Sequence, residues 1–235
     1  MSLDEGYLLC VFGDDDTCYD MAKRMIENIH KYDTSRKICI LSESNEKSKN
    51  ILQNTKDLIY KEINHSYHEH EKIHYSDNYY RKYFIPKVFQ SYYTPFKLTL
   101  YFDLDLVFHK DFTFLWFLQF KNKYPIQLGG KSDEKNCADS SWHMNEIDHI
   151  IKISNMNIPE VNTSILMYNT EFFGIASFHL LLYLDNLDPW KVKKINGHFQ
   201  DDIIYAILCG KCQTRPDKYI LEWILDPENC EKKAL

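Results

Sequence analysis

Apolar residues along this chain come in short blocks, and the blocks fall into two periods. Residues 7–12 form an unbroken apolar run closed by Gly13 and three aspartates, which predicts a buried strand. Met21, Met25 and Ile29 then recur at every fourth position, with Ala22 and Ile26 beside them, and predict an amphipathic helix with Thr17 as its cap. Residues 37–41 predict a second strand, 42–50 a polar connection, and 58–63 a short third strand. Strand, helix and strand within about 35 residues make a βαβ unit, which requires parallel pairing and a right-handed crossover.

Residues 76–96 carry a helical face of Tyr80, Phe84 and Val88, with Ser76 or Asp77 as cap and a break or kink at Pro86. Residues 97–102 return to a strand rich in aromatic and β-branched side chains. A short helix dense in Phe and Trp is expected over 111–120, a polar loop over 131–141 and a helix over 142–154. Residues 161–168 predict another strand, 172–184 and 199–208 two more helices, and everything from Lys211 onward reads as irregular, punctuated by Pro216 and Pro227. With no internal repeat and no low-complexity linker, the expectation is one α/β domain over 1–235, a mostly parallel Rossmann-like sheet flanked by helices.

Composition narrows the partners more than the fold. A formal charge of -6, from 34 acidic and 28 basic residues, gives no electrostatic ground for nucleic-acid binding. The longest apolar runs, 112–120 and 178–184, fall short of the ~20 residues a membrane-spanning helix needs. Seven cysteines, an odd number without a framework spacing, point to a reduced compartment, and a cytoplasmic location is the expectation. His65, His68, His70 and His74 crowd one polar stretch that reads as a solvated loop rather than a ligand cluster, and Cys209-Gly-Lys-Cys212 is a lone pair without a zinc partner.

The strand over 97–102 then delivers Asp103 and Asp105. In an extended chain residues i and i+2 face one side, so both carboxylates can aim at one point. Like charges held that close raise each other's pKa, a penalty a divalent cation removes. Oxygen-only ligands suit Mg²⁺ or Mn²⁺, which keep positions open for substrate phosphates. In open α/β sheets ligands bind beyond the carboxyl ends of the strands, where these acids lie. The same spacing also fits a haloacid-dehalogenase-type phosphatase, with Asp103 as nucleophile.

Residues 101–112, Tyr-Phe-Asp-Leu-Asp-Leu-Val-Phe-His-Lys-Asp-Phe, resemble the metal-binding segment of GT-A nucleotide-sugar glycosyltransferases, most closely the glycogenin and galactinol synthase type. Lys87, sixteen residues before Asp103, falls where that family carries a donor-contacting lysine. Val161-Asn-Thr-Ser164 is similar to a family strand whose asparagine faces the sugar, and Gln200-Asp201-Asp202 to a helix start on the sugar and acceptor side. Phe12, Gly13 and Tyr19 match positions that hold the nucleotide.

The resemblance implies a metal-dependent transfer of sugar from a nucleoside diphosphate, UDP above all, to a glycan, protein or small-molecule acceptor. It places Mn²⁺ or Mg²⁺ on Asp103 and Asp105, with Asp103 also reaching the ribose. Lys87 would steady the diphosphate, Asn162 would line the sugar, and Asp201 or Asp202 would serve as catalytic carboxylates. Plainer roles stand beside these: Lys87 as a solvated helix residue, Asn162 as a backbone cap, and Asp201-Asp202 as charges complementing a helix dipole. The glycogenin type takes a third metal ligand from a histidine near its C-terminus, and here no histidine follows His198. Asp217 or a water is left to complete the set. A non-catalytic module that binds a nucleotide sugar is the third reading.

Overall fold

The apolar run after Gly6 is continuous because it is covered on both faces, as in a strand at the centre of a parallel sheet. The computed structural model describes residues 3–12, 16–42, 50, 55, 57–62, 87, 90–122, 126–131, 159–171, 201–211 and 213–233. It places that run in β1 (Leu3–Val11), where Tyr7, Leu8, Leu9 and Val11 are fully buried. Helix α1 (Asp16–Tyr32) buries Tyr19, Met21, Ala22, Met25, Ile26 and Ile29 on one stripe. The chain then enters β2 (Lys37–Ser42), parallel to β1 with Tyr7 opposite Ile38. The expected βαβ unit is therefore present. Its helix begins at Asp16, so Thr17 lies inside the first turn and is not the cap.

β3 (Leu58–Glu62) adds in parallel outside β2, and β4 (Phe96–Phe102) pairs in parallel with the other side of β1. β7 (Glu160–Asn169) lies antiparallel to β4, and β6 (Ile126–Lys131) antiparallel to β7. The six-stranded order is β3-β2-β1-β4-β7-β6, with β7 alone running against the rest. β4 is the neighbour of β1 through a glycine: a Cβ on Gly6 would fall 2.2 Å from the ring of Phe96.

Further expectations need correction. The helix read over 76–96 ends earlier: residues 87 and 90–93 are helical, the Thr94 N–H closes on the Gln90 carbonyl at 2.9 Å, and Phe96 already belongs to β4. Helix α2 (Leu115–Asn122) starts four residues late, because the Asp111 carboxylate accepts the Thr113 N–H at 2.7 Å and holds the chain in turns first. The C-terminal stretch is not irregular. After helix α3 (Asp201–Lys211) it forms helix α4 (Lys218–Leu225) and strand β8 (Cys230–Lys232). Pro216 and Pro227 sit just outside the caps Asp217 and Asp226, marking the ends of a helix rather than its absence. α4 packs Ile220, Trp223 and Ile224 inward, and it approaches β6 so closely that a Cβ on Gly129 would meet the Leu221 backbone at 3.1 Å. The loop expected over 131–141 begins one residue late, since Lys131 closes β6; the rest of it, the helices expected over 142–154 and 172–184 and the histidine-rich stretch lie outside the described residues.

The core beneath the sheet is aromatic. Tyr7 contacts Phe102 at a centroid separation of 5.8 Å and meets Phe112 and Trp116 edge-on, and Phe108 closes the cluster against Phe102 and Phe112. The buried Tyr7 hydroxyl donates to Asp33 Oδ2 at 2.6 Å and accepts from Trp116 Nε1 at 2.8 Å. Asp33 also accepts from the Ser35 hydroxyl and backbone and pairs with Arg36 at 2.8 Å. Arg36 in turn binds Glu5 at 2.8 Å and lies over the Trp116 ring. Burial alone would raise the Asp33 carboxyl. The hydrogen bonds from Tyr7, Ser35 and Arg36 outweigh it and hold the group well below the usual carboxylate range.

Candidate active site

Two carboxylates meet where β4 stops. Phe102, its last residue, is fully buried, and the next N–H, that of Asp103, still donates to the Ser164 carbonyl of β7 at 2.9 Å. That bond fixes the Asp103 backbone at the sheet edge. Leu104 and Asp105 then form a turn, and the chain enters β5 (Leu106–Phe108). The acids therefore converge through this turn rather than through strand alternation. Each places Oδ2 within 4 Å of one ammonium, that of Lys232, at 3.8 Å from Asp103 and 3.9 Å from Asp105.

Asp103 Oδ1 is fully engaged. It receives the Tyr101 hydroxyl at 2.7 Å and the Lys87 ammonium at 2.8 Å. Lys87 is only 7% exposed, which rules out the solvated-helix alternative; its ammonium also donates to Thr163 Oγ1 at 3.2 Å, and its carbonyl accepts from Tyr205 of α3 at 3.0 Å. Burial would raise the Asp103 carboxyl, but the charges of Lys87 and then Lys232, with the hydrogen bonds from Lys87 and Tyr101, hold it below its ordinary value. Asp105 behaves oppositely: burial, then the Asp103 charge, push its carboxyl up. Its Oδ1 is buried without a hydrogen-bond partner among the described residues, a costly state for a carboxylate oxygen.

That orphaned oxygen tests whether a metal suits the site. Two hard-oxygen donors from a turn, one lacking a partner, match a Mg²⁺ or Mn²⁺ that draws its remaining ligands from water and phosphate. Among the described residues no group of three or more His, Cys, Asp or Glu is placed to hold an ion, and Asp103 and Asp105 are the two carboxylates they bring to this point. Asp217 is not the third ligand: its Oδ1 caps α4, accepting the N–H groups of Tyr219 and Ile220 at 2.8 and 3.3 Å.

The other expected residues distribute unevenly. Lys87, Asp103 and Asp105 are brought together. Asn162 lies on β7 two positions before Ser164, at the same sheet edge; its Oδ1 accepts the Ser164 N–H at 3.0 Å, the backbone-capping role anticipated as its alternative. Phe12 follows the carboxyl end of β1, which neighbours β4 in parallel, and is buried. Tyr19 packs in the core on α1. Asp201 and Asp202 open α3, one turn ahead of Tyr205; their side chains lie outside the described residues, as does Gly13.

Lys232 was missed by sequence reasoning. Its position depends on β8 pairing antiparallel with β5, Leu106 opposite Lys232, across more than a hundred intervening residues. The Lys233 N–H extends that pairing to the Asp105 carbonyl at 2.9 Å. No local pattern announces such a contact.

No family model and no curated protein matches the sequence. Solved structures do match the fold. Mouse xyloside xylosyltransferase 1, in its apo form, superposes with a TM-score of 0.56 at 14% identity, over 92% of this chain and 84% of that one. The galactosyltransferase LgtC, in complex with donor and acceptor sugar analogs, gives 0.58 at 12% identity, over 87% and 70%. The glycosyltransferase GlyE of Streptococcus pneumoniae TIGR4 gives 0.55 at 15% identity, over 91% and 46%. The architecture is therefore the GT-A fold, a mixed α/β layer built on a mostly parallel sheet. At these identities the likeness establishes the fold and nothing finer. It offers no support for the phosphatase alternative.

Proposed function

We propose that this protein is a glycosyltransferase that takes its sugar from a nucleoside diphosphate donor, UDP first among them, held through Mn²⁺ or Mg²⁺ at Asp103 and Asp105. The observation that carries the proposal is the buried, unpartnered Asp105 Oδ1 beside a second carboxylate at the carboxyl end of β4 in a GT-A fold. Bound there, a divalent ion supplies Lewis-acid neutralisation of the leaving diphosphate. The chain's own residues set the geometry. Ser164 and Thr163 on β7 anchor the Asp103 backbone and the Lys87 ammonium, and Tyr101 holds Oδ1 of Asp103 while Oδ2 lies toward Lys232. In this reading Lys87 is a fixed positive charge at the diphosphate end, while Asn162 and the start of α3 with Asp201 and Asp202 flank the sugar and acceptor.

The finer likeness to the glycogenin and galactinol synthase type rests on the sequence blocks alone. The expectation of a reducing, cytoplasmic setting rests on the cysteine pattern of the sequence alone. Among the described residues no helix is long and apolar enough to cross a membrane. The test is UDP release from a panel of UDP-sugars with Mn²⁺, with and without candidate acceptors. Turnover of at least one donor, lost in Asp103→Asn, supports the assignment. Donor binding without release under every acceptor would favour a non-catalytic module instead.

A further inference from the structure

Among the described residues, four charges meet at the end of β4. Asp103 and Asp105 carry two negative charges, and Lys87 and Lys232 carry two positive ones at 2.8 to 3.9 Å. The pair is therefore charge-balanced by the protein's own cations. The two lysines are held differently. Lys87 is buried and makes short bonds to Asp103 and Thr163. Lys232 has a side chain 48% exposed, and its ammonium stands off both Oδ2 atoms at 3.8 and 3.9 Å, beyond hydrogen-bond length. Its backbone is fixed by β8, opposite Leu106 and next to the Lys233–Asp105 bond. Its four-carbon stem is free to swing. A monocation facing one oxygen of each carboxylate stands where a second cation would approach the pair.

We infer that Lys232 is a tethered counter-cation that competes with the divalent metal for Asp103 and Asp105, so that metal binding requires its ammonium to leave the pair. This inference rests on the metal-site reading above and deepens it. It assigns to the C-terminal strand a direct hold over metal affinity. The charges of Lys87 and Lys232 match those of Asp103 and Asp105, and an incoming dication would face an excess of positive charge unless Lys232 withdraws. Removing that charge at about 4 Å from the carboxylates should raise metal affinity by about tenfold or more.

The experiment is direct Mn²⁺ titration of the full chain without nucleotide, read by electron paramagnetic resonance of free Mn²⁺. Wild type, Lys232→Met, Lys232→Gln and Lys232→Arg are compared, with Lys110→Met as a control at an exposed lysine paired with Glu228. Expected are affinities about tenfold tighter in both neutral variants, and near wild type in Lys232→Arg and Lys110→Met. Equal affinity in wild type and the neutral variants, with binding still lost in Asp105→Asn, would overturn the competition and leave the metal site standing. Failure of Asp105→Asn to abolish binding, or no Mn²⁺ binding in any variant, would overturn both.

Discussion

Among the described residues two acidic centres stand out, and they are built on opposite principles. At one, Asp33 is 6% exposed and fully occupied, with Tyr7, Ser35 and Arg36 all donating to it. At the other, Asp103 and Asp105 are more exposed, share a loosely held lysine, and leave one buried oxygen without a partner. The first centre joins β1, the end of α1 and, through Trp116, α2; its hydrogen bonds hold its carboxyl down. The second crowds two like charges, and the Asp105 carboxyl is pushed up. A satisfied buried acid stabilises the fold. An unsatisfied one is strain that the fold tolerates, and such strain gathers where a ligand completes the set.

The largest effect should come from Asp105→Asn. Transfer is expected to fall about 10³-fold, the several kcal/mol that a metal's charge stabilisation supplies. Stability in urea should stay level or rise, because a like-charge contact is removed. Marked unfolding in this variant would erase the contrast. Asp33→Asn should do the reverse: about 2–3 kcal/mol lost in urea unfolding, since the Arg36 and Tyr7 partners lose their carboxylate, with turnover per folded molecule unchanged. Tyr7→Phe is a smaller version of the same break, about 1 kcal/mol, because it removes the hydroxyl joining Asp33 to Trp116 and leaves the ring packing in place.

The smallest effect is on pH dependence. Asp33 has its folded-state pKa depressed, so its contribution is fully present above the unfolded value of about 3.9 and is lost as pH falls below it toward the folded value. The stability gap between wild type and Asp33→Asn should therefore be constant near neutrality and narrow below about pH 4. A gap that does not narrow at all between pH 4 and pH 2 would mean the Asp33 contacts do not depend on its charge.

Much of the fold was legible from period alone. The continuous run of β1 and the fourth-residue repeat of α1 are both set by burial, and burial writes itself into local sequence. The elements that escaped are those whose reasons are elsewhere in the chain. β5 and β8 have three residues each, too few for any period, and exist because they pair with each other. β6 carries Gly129 and Gly130, poor strand formers locally, and Gly129 is there to admit α4. The candidate site divides the same way. Asp103 and Asp105 announce themselves as acids at the end of an apolar strand. That Lys87 is buried against Asp103 needs β7 and α3 in place, and that Lys232 faces both acids needs the β5–β8 ribbon.

The central claim is that Asp103 and Asp105, with the unpartnered Asp105 Oδ1, form a metal-dependent nucleotide-sugar site. Thermal unfolding with a panel of nucleoside diphosphate sugars, each with and without Mn²⁺, tests it most directly. At a donor concentration well above its Kd, one donor should raise Tm by about 5 °C with Mn²⁺ present, much less without it, and not at all in Asp105→Asn. The same shift in Asp105→Asn, or a shift indifferent to Mn²⁺, would contradict the account.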